Sequence, residues 1–338
     1  MKFSHINKIE INNFKSLQDV KITGCKRINL FIGRSNAGKS NILEALSVFS
    51  IPYLKENSSK KLNNLIRLQN ESELFYNGNA DLNAEISTNI GNCYMSYTPK
   101  EGLNINIDFI GHAYEKVIIN DRLKVSGLKP IKKKNALSVK NDFEPPIKRY
   151  NFKTDVLYKK AHAKYLIPPF GYNLLSVIEH YPSLKKEVTD LFSDFGLEIA
   201  FDKSSHTIKI IQSDKKGIFL IPYNSIADTL QRIIFFKAAI ASNNNSILLF
   251  EEPEAHSFPP YLTHITQEMI YKNDNQYFIA THSPFILNDL LENSPNELAV
   301  YNVYFERNET KVKLLTDKKL LEIFNNGIDL FTNIESFI

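Results

Sequence analysis

Gly33-Arg34-Ser35-Asn36-Ala37-Gly38-Lys39-Ser40 fits the pattern G-x-x-x-x-G-K-[ST], a loop that wraps the phosphates of a nucleotide. The apolar run Ile28-Asn29-Leu30-Phe31-Ile32 before it reads as a buried strand, and Asn41-Ile42-Leu43-Glu44-Ala45-Leu46 after it reads as the start of a helix. A phosphate loop requires that strand–loop–helix setting. Its glycines let backbone N–H groups turn inward toward phosphate oxygens, and the helix N-terminus adds positive potential. In this pattern Lys39 reaches the β- and γ-phosphates and Ser40 holds Mg²⁺ through its hydroxyl. The expected nucleotide contacts are Gly33, Arg34, Ser35, Asn36, Ala37, Gly38, Lys39 and Ser40.

Two more apolar strands end in chemistry. Ser246-Ile247-Leu248-Leu249-Phe250 runs into Glu251-Glu252-Pro253-Glu254. Carboxylates leaving the carboxyl end of a buried strand sit where open α/β sheets bind ligands. Behind a phosphate loop this is the Walker B position, with Glu251 directed to the metal and Glu252 acting as general base on the attacking water. Gln276-Tyr277-Phe278-Ile279-Ala280 ends in Thr281-His282-Ser283-Pro284. Taken alone, His282 reads as a side chain satisfying a nearby backbone group. As the third strand tip in this order, it is expected to contact the γ-phosphate and hold the attacking water.

The bulk numbers set weak limits. The 338 residues are 43% hydrophobic and 23% charged, ordinary values for a globular protein. A net charge of +4 is too mild to argue for nucleic acid. Cys25 and Cys93 form neither metal spacing nor a disulfide framework, so a reducing cytoplasm is expected. The N-terminus lacks the apolar core of a signal peptide, and no apolar run approaches a membrane span.

Along the chain, Ile6–Ile22 suggests two strands joined by a short turn, and a helix follows from about Lys39 to Phe49. Residues 51–75 look polar and irregular, with one short helix near Leu62–Leu68. Asp81–Ser87, Asn92–Tyr97, Leu103–Phe109 and Tyr114–Ile119 form an expected antiparallel patch, clearest in the alternation of Leu103-Asn104-Ile105-Asn106-Ile107. Lys132, Lys133, Lys134, Lys148 and Arg149 flank Pro145-Pro146 and read as an exposed loop. Part of Tyr150–Lys164 is expected to be helical, as are Leu174–His180 and Leu184–Phe195, with Pro182 and Ser183 as break and cap. Short strands are expected at 197–201, 208–212 and 217–221, then a long helix over Ile226–Ser242. Closing strands at 298–305 and 311–315 precede a short helix.

The phosphate loop, Glu251-Glu252-Pro253-Glu254-Ala255-His256 and Thr281-His282-Ser283-Pro284 together resemble the ABC-type ATPases of the RecF/SMC/OLD group. Ile9-Glu10-Ile11-Asn12-Asn13-Phe14-Lys15-Ser16 is similar to that group's first strand. The resemblance spans residues 1–50 and 220–295. It implies a P-loop α/β head with a mixed sheet, an antiparallel β lobe and an inserted helical subdomain. The whole of 1–338 is then one head. Residues 1–50 form the P-loop lobe, 51–220 the inserted β/helical lobe, and 221–338 hold the signature, Walker B, switch histidine and closing strands.

The same resemblance implies ATP and Mg as cofactors and a head-to-tail homodimer, or a higher oligomer, trapping two ATP molecules. In such a dimer Ser225, in Asn224-Ser225-Ile226-Ala227-Asp228, either donates to the γ-phosphate across the interface or only caps its helix. Gln69 is either the Q-loop glutamine or a surface residue, and His256 either lies at the interface or caps a turn. The stretch after His282 is shorter than a typical domain of about 100–150 residues, so the nuclease domain of OLD proteins is not expected. No heptad run predicts coiled-coil arms.

The implied function is a Mg-dependent ATP-hydrolysing switch that regulates a separate effector, such as a nuclease or toxin, or acts on DNA, in bacterial anti-phage defence. The alternatives are a nucleotide-dependent scaffold with slow hydrolysis or a RecF-type repair ATPase. A transporter subunit is disfavoured by the missing glycine signature. For DNA, the lysine-rich segment either binds phosphates or is a solvated loop.

Overall fold

A computed structural model describes residues 5–110, 112–127, 131–132, 143–194, 196–202, 204–205, 207–214 and 217–334. Lys133 and Lys134 lie outside these residues. The chain groups into two compact units. The first comprises Met1–Arg149, Asn245–Glu252 and Gln276–Ile338; the second comprises Tyr150–Asn244 and Pro253–Asn275.

The first unit begins with an antiparallel hairpin, β1 (Lys8–Phe14) and β2 (Leu17–Thr23). Ile9 and Ile11 point inward from β1, as period-two alternation requires, and Phe14 is buried after the left-handed Asn13 (φ 55°) shifts the phase by one residue. The third strand, β3 (Ile28–Ile32), is buried at every position, the mark of a parallel strand covered on both faces. After the phosphate loop comes α1 (Lys39–Ser47). It tightens into a 3₁₀ segment at Val48–Glu56, where Pro52 removes a backbone donor.

The segment expected to be polar and irregular is more structured than its composition suggests. Short 3₁₀ turns at Leu62–Asn64 and Glu71–Leu74 take the place of a helix through Leu68. Leu62, Leu65 and Ile66 are buried at the i, i+3, i+4 spacing that suggests a helix, but the 3₁₀ turn ends at Asn64 and no α-helix follows it. Next come β4 (Ala84–Thr88), β5 (Gly91–Thr98), β6 (Gly102–Phe109) and β7 (His112–Ile119), with the short β8 (Val125–Ser126) and β9 (Ile131–Lys132). They extend the first hairpin into an antiparallel sheet ordered β2-β1-β4-β5-β6-β7-β8, with β9 also pairing with β7. This is the expected antiparallel lobe.

The strand β10 (Ile147–Tyr150) overturns two expectations. Lys148 and Arg149 are not in an exposed loop. They are 3% and 1% exposed, because β10 is a strand of the central sheet beside the Walker B strand. No helix occurs between Asn151 and Tyr165.

The second unit carries α2 (Leu174–His180), α3 (Pro182–Asp194), a three-stranded antiparallel sheet of β11 (Glu198–Asp202), β12 (Thr207–Asp214) and β13 (Gly217–Pro222), and α4 (Asp228–Ala241). Pro182 is the first residue of α3, where its missing N–H costs nothing. Ser183 therefore sits inside the first turn rather than capping it. The 3₁₀ turn Tyr223–Ser225 precedes α4, whose N-cap is Ala227 with no side-chain cap bond. This removes the capping role considered for Ser225, which is exposed.

The central sheet is completed by β14 (Ile247–Glu251), β15 (Gln276–Ala280), β16 (Leu298–Glu306) and β17 (Glu309–Leu315). Its order is β10-β14-β15-β3-β16-β17. From β14 through β16 the neighbours run parallel, and β17 returns antiparallel. The crossover between β14 and β15 contains α5 (Thr263–Tyr271) of the second unit, while α6 (Pro284–Asn293) and α7 (Asp317–Asn325) belong to the first. The result is a mixed α/β P-loop head. Among the described residues no helix is long and apolar enough to cross a membrane.

Candidate functional site

The parallel strands deliver their carboxyl ends to one side of the first unit. From the tip of β3 the loop passes into α1 through two glycines that nothing larger replaces. Gly33 has φ +152°, and a Cβ there would lie 2.0 Å from the carbonyl oxygen of Val303 on β16. Gly38 has φ +104°, and its Cβ would meet Thr310 Oγ1 of β17 at 2.2 Å. The loop is thus pressed against the adjacent β16–β17 hairpin. The N-terminus of α1 has no side-chain cap, which leaves its orphan N–H groups available to an anion. Lys39 is buried and donates from Nζ to the carbonyls of Gly33 and Arg34, both at 2.9 Å.

Ser35–Asn41 line a cleft of about 490 Å³ together with Arg67, Glu252 and His282. The cleft brings the phosphate loop, Walker B and the Thr-His-Ser turn together within the first unit. Glu252 has φ +43°, a left-handed conformation uncommon for a residue with a side chain. Its N–H donates to Ala280 O at 2.8 Å, tying the tips of β14 and β15. His282 Nε2 stands 3.7 Å from Glu252 Oε1. Burial lowers the imidazole's pKa, the Lys39 ammonium lowers it further, and Glu252 opposes them. His282 is therefore neutral at pH 7, with one ring nitrogen to donate and one to accept.

Glu251 ends β14 beside Ser40, whose hydroxyl hydrogen-bonds to it. Arg149 Nη2 donates to its Oε2, and Arg67 Nη2 donates to its Oε1 at 3.1 Å. Burial pushes the carboxyl up, but Arg149, the Ser40 bond and Arg67 outweigh it and hold the group below the usual carboxylate range. Arg67 also donates from Nε to Glu44 Oε1 at 2.7 Å, and Glu44, buried on α1, accepts from Lys15 Nζ. Lys15, Glu44, Arg67, Glu251 and Arg149 thus form a chain of alternating charge behind the phosphate loop.

A hydroxyl and an ionised carboxylate are hard oxygen ligands that suit Mg²⁺, which keeps several waters and is completed by substrate phosphates. Among the described residues no group of three or more His, Cys, Asp or Glu is arranged to hold a metal by itself. Glu251 has up to four lone-pair sites for its three partners, so Ser40 and Glu251 fit a divalent cation bound in this way.

Other sequence candidates lie elsewhere. Gln69 is outside the cleft lining, in an exposed groove with Asn63 and Glu73, and its N–H donates to Glu73 Oε2 at 3.0 Å. Arg67, two positions earlier, reaches the cleft instead. Ser225 and His256 belong to the second unit, where the His256 carbonyl accepts from Thr229 Oγ1 at 2.7 Å. Lys148 Nζ is 3.8 Å from Glu144 and faces the Tyr53 ring. Burial lowers its pKa to about 8 against the opposing pull of Glu144.

Sequence reasoning missed Arg67, Arg149, Glu44 and Lys15. The one available signal was Glu44, a carboxylate among the apolar residues of α1 and four positions after Ser40, hence on the same helix face.

Residues 5–225 match the model of the AAA ATPase domain. An ATP/GTP phosphatase of Helicobacter pylori is 24% identical over 337 residues, covering 82% of this chain and 85% of the relative. Over 44 residues, 13% of this chain and 20% of the relative, a protein of Methanocaldococcus jannaschii is 43% identical. Among solved structures, an SMC head bound to the C-terminal winged-helix domain of ScpA aligns with TM-score 0.50 at 14% identity, covering 95% of this chain and all of that one.

Proposed function

The chain belongs to the AAA ATPase domain family, and on that premise we propose that it is a Mg-dependent ATP-hydrolysing switch that dimerises around ATP and governs a separate effector. The observation that carries this reading is the shared cleft of Lys39, Ser40, Glu252 and His282. In the reaction Lys39 leaves its loop carbonyls for the β- and γ-phosphate oxygens. Ser40 and Glu251 would hold a divalent cation, which would supply neutralisation of charge on the phosphates. Glu252 takes the proton of the attacking water as its oxygen bonds to the γ-phosphorus, and the bond to the ADP oxygen breaks. Neutral His282 accepts a hydrogen bond from that water or donates to the γ-phosphate, which fixes the line of attack.

Dimerisation through the heads, with Ser225 facing a partner's nucleotide, is supported by the motif order shared with the RecF/SMC/OLD group. The same resemblance supports an effector such as a nuclease or toxin and a role in anti-phage defence, with DNA as the alternative target. Burial of Lys148 and Arg149 takes both out of any phosphate-binding surface. The test is Mg²⁺-dependent phosphate release by the purified chain beside Lys39→Ala and Glu252→Gln. Both variants are expected to fall at least about 100-fold, while Glu252→Gln retains ATP and assembles with it on a sizing column. Equal turnover in all three overturns the reading.

A second reading, a scaffold that binds ATP and hydrolyses it slowly, draws on one observation: two arginines already engage Glu251. ATP-driven assembly with negligible phosphate release from the unmutated chain would select it.

A further inference from the structure

Arg149 has no part in the reaction outlined above, yet its burial is nearly complete, at 1% exposure. A guanidinium cannot shed its proton, so a buried one must be answered by a partner. Here Nη2 donates to Glu251 Oε2, while among the described residues Nε and Nη1 have no hydrogen-bond partner. Among those residues Glu251 is therefore the carboxylate that the guanidinium hydrogen-bonds. The backbone around Arg149 is also fixed. Its N–H donates to Ser50 Oγ at 3.0 Å, and Ser50 Oγ donates to Ile147 O at 2.9 Å, locking β10 to the segment that continues α1. Arg67 differs in both respects: its side chain is 66% exposed and shared between Glu44 and Glu251.

We propose that Arg149 is a positioning residue of the ATPase site. It grips Oε2 from a rigid strand, so the Glu251 carboxylate cannot rotate away from Ser40, and it thereby sets how readily a divalent cation binds between them. Arg149 is not among the residues that line the cleft; it acts through Glu251. This rests on the reading of the cleft as an ATPase site.

The test uses the full chain with Arg149→Met, Arg149→Lys, Glu251→Gln and the double variant Arg149→Met/Glu251→Gln. A fluorescent ATP analogue is titrated without metal and then with increasing Mg²⁺, and the half-saturating Mg²⁺ is read from binding as well as from turnover. Arg149→Met should leave metal-free binding within about twofold and raise half-saturating Mg²⁺ about 10–100-fold, the range for residues that orient a metal ligand. Arg149→Lys should recover part of that loss. Once Glu251 is glutamine, removing Arg149 should add less than about twofold.

An unchanged Mg²⁺ requirement in Arg149→Met, an equal loss of metal-free binding, or multiplied effects in the double variant would each overturn the proposal. If Arg149→Met alone does not fold, the double variant must fold and bind the analogue without metal, because it carries no unanswered charge; failure there also overturns it. No Mg²⁺ response in the unmutated chain would overturn the ATPase reading itself, whereas a normal response there with an unaltered Arg149→Met removes only this assignment.

Discussion

At the scale of single residues, the phosphate loop is limited by its neighbours as much as by its own torsions. Gly33→Ala would drive a methyl carbon to within 2.0 Å of the Val303 carbonyl, and Val303 cannot retreat without disturbing its pairing with Val312. We expect a loss of more than about 2 kcal/mol, read as a lowered urea midpoint, together with loss of nucleotide binding. His282 gives a pH signature. Its folded pKa is depressed, so its contribution to stability is complete above the unfolded value near 6.5 and is lost as pH falls through the lower folded value. The working imidazole is neutral, so turnover should decline on that same acid side. In His282→Gln the profile of residual turnover between pH 5 and 8 should lose that limb.

At the scale of elements, the three strand tips were legible because each is a local pattern: an apolar run followed by the chemistry it delivers. The β10 strand was not. Ile147-Lys148-Arg149-Tyr150 reads as a polar connection because the charge of Arg149 is answered from far away, by a carboxylate 102 positions on. Arg67 was hidden for the same reason, with 184 positions between it and Glu251. Ion pairs of this separation leave no periodicity in a sequence.

Lys148 makes the misreading measurable. Its folded pKa of about 8 lies below the ordinary lysine value, so its stabilising contribution is complete only above about pH 10.5 and is lost as pH falls through 8. Relative to Lys148→Met, the unmutated chain should gain on the order of 2–3 kcal/mol between pH 8 and 10.5, seen as a rising urea midpoint that the variant lacks. The edge strand β13 presents Ile218, Phe219 and Leu220 to solvent, a pattern prone to edge-to-edge pairing. Phe219→Lys should reduce concentration-dependent aggregation in light scattering and leave ATP turnover unchanged.

At the scale of the whole molecule, the second unit is assembled from two separate stretches, 150–244 and 253–275. A fragment ending at Asn244 lacks α5, which packs with α4 in that unit, so it should expose apolar surface and bind a hydrophobic dye that the full chain does not. The carboxylates sit where the chain passes between units: Glu252 is the last residue of one stretch and Pro253 opens the next. The backbone at Glu252 is held in a left-handed turn that a glycine would adopt freely. Glu252→Gly should therefore melt higher, by about 1 kcal/mol or roughly 2 °C, while hydrolysing nothing; Glu252→Gln should share the inactivity without the gain. A lineage screened for heat resistance alone would discard this glutamate early, so its retention through such a screen would itself report that catalysis was still being selected.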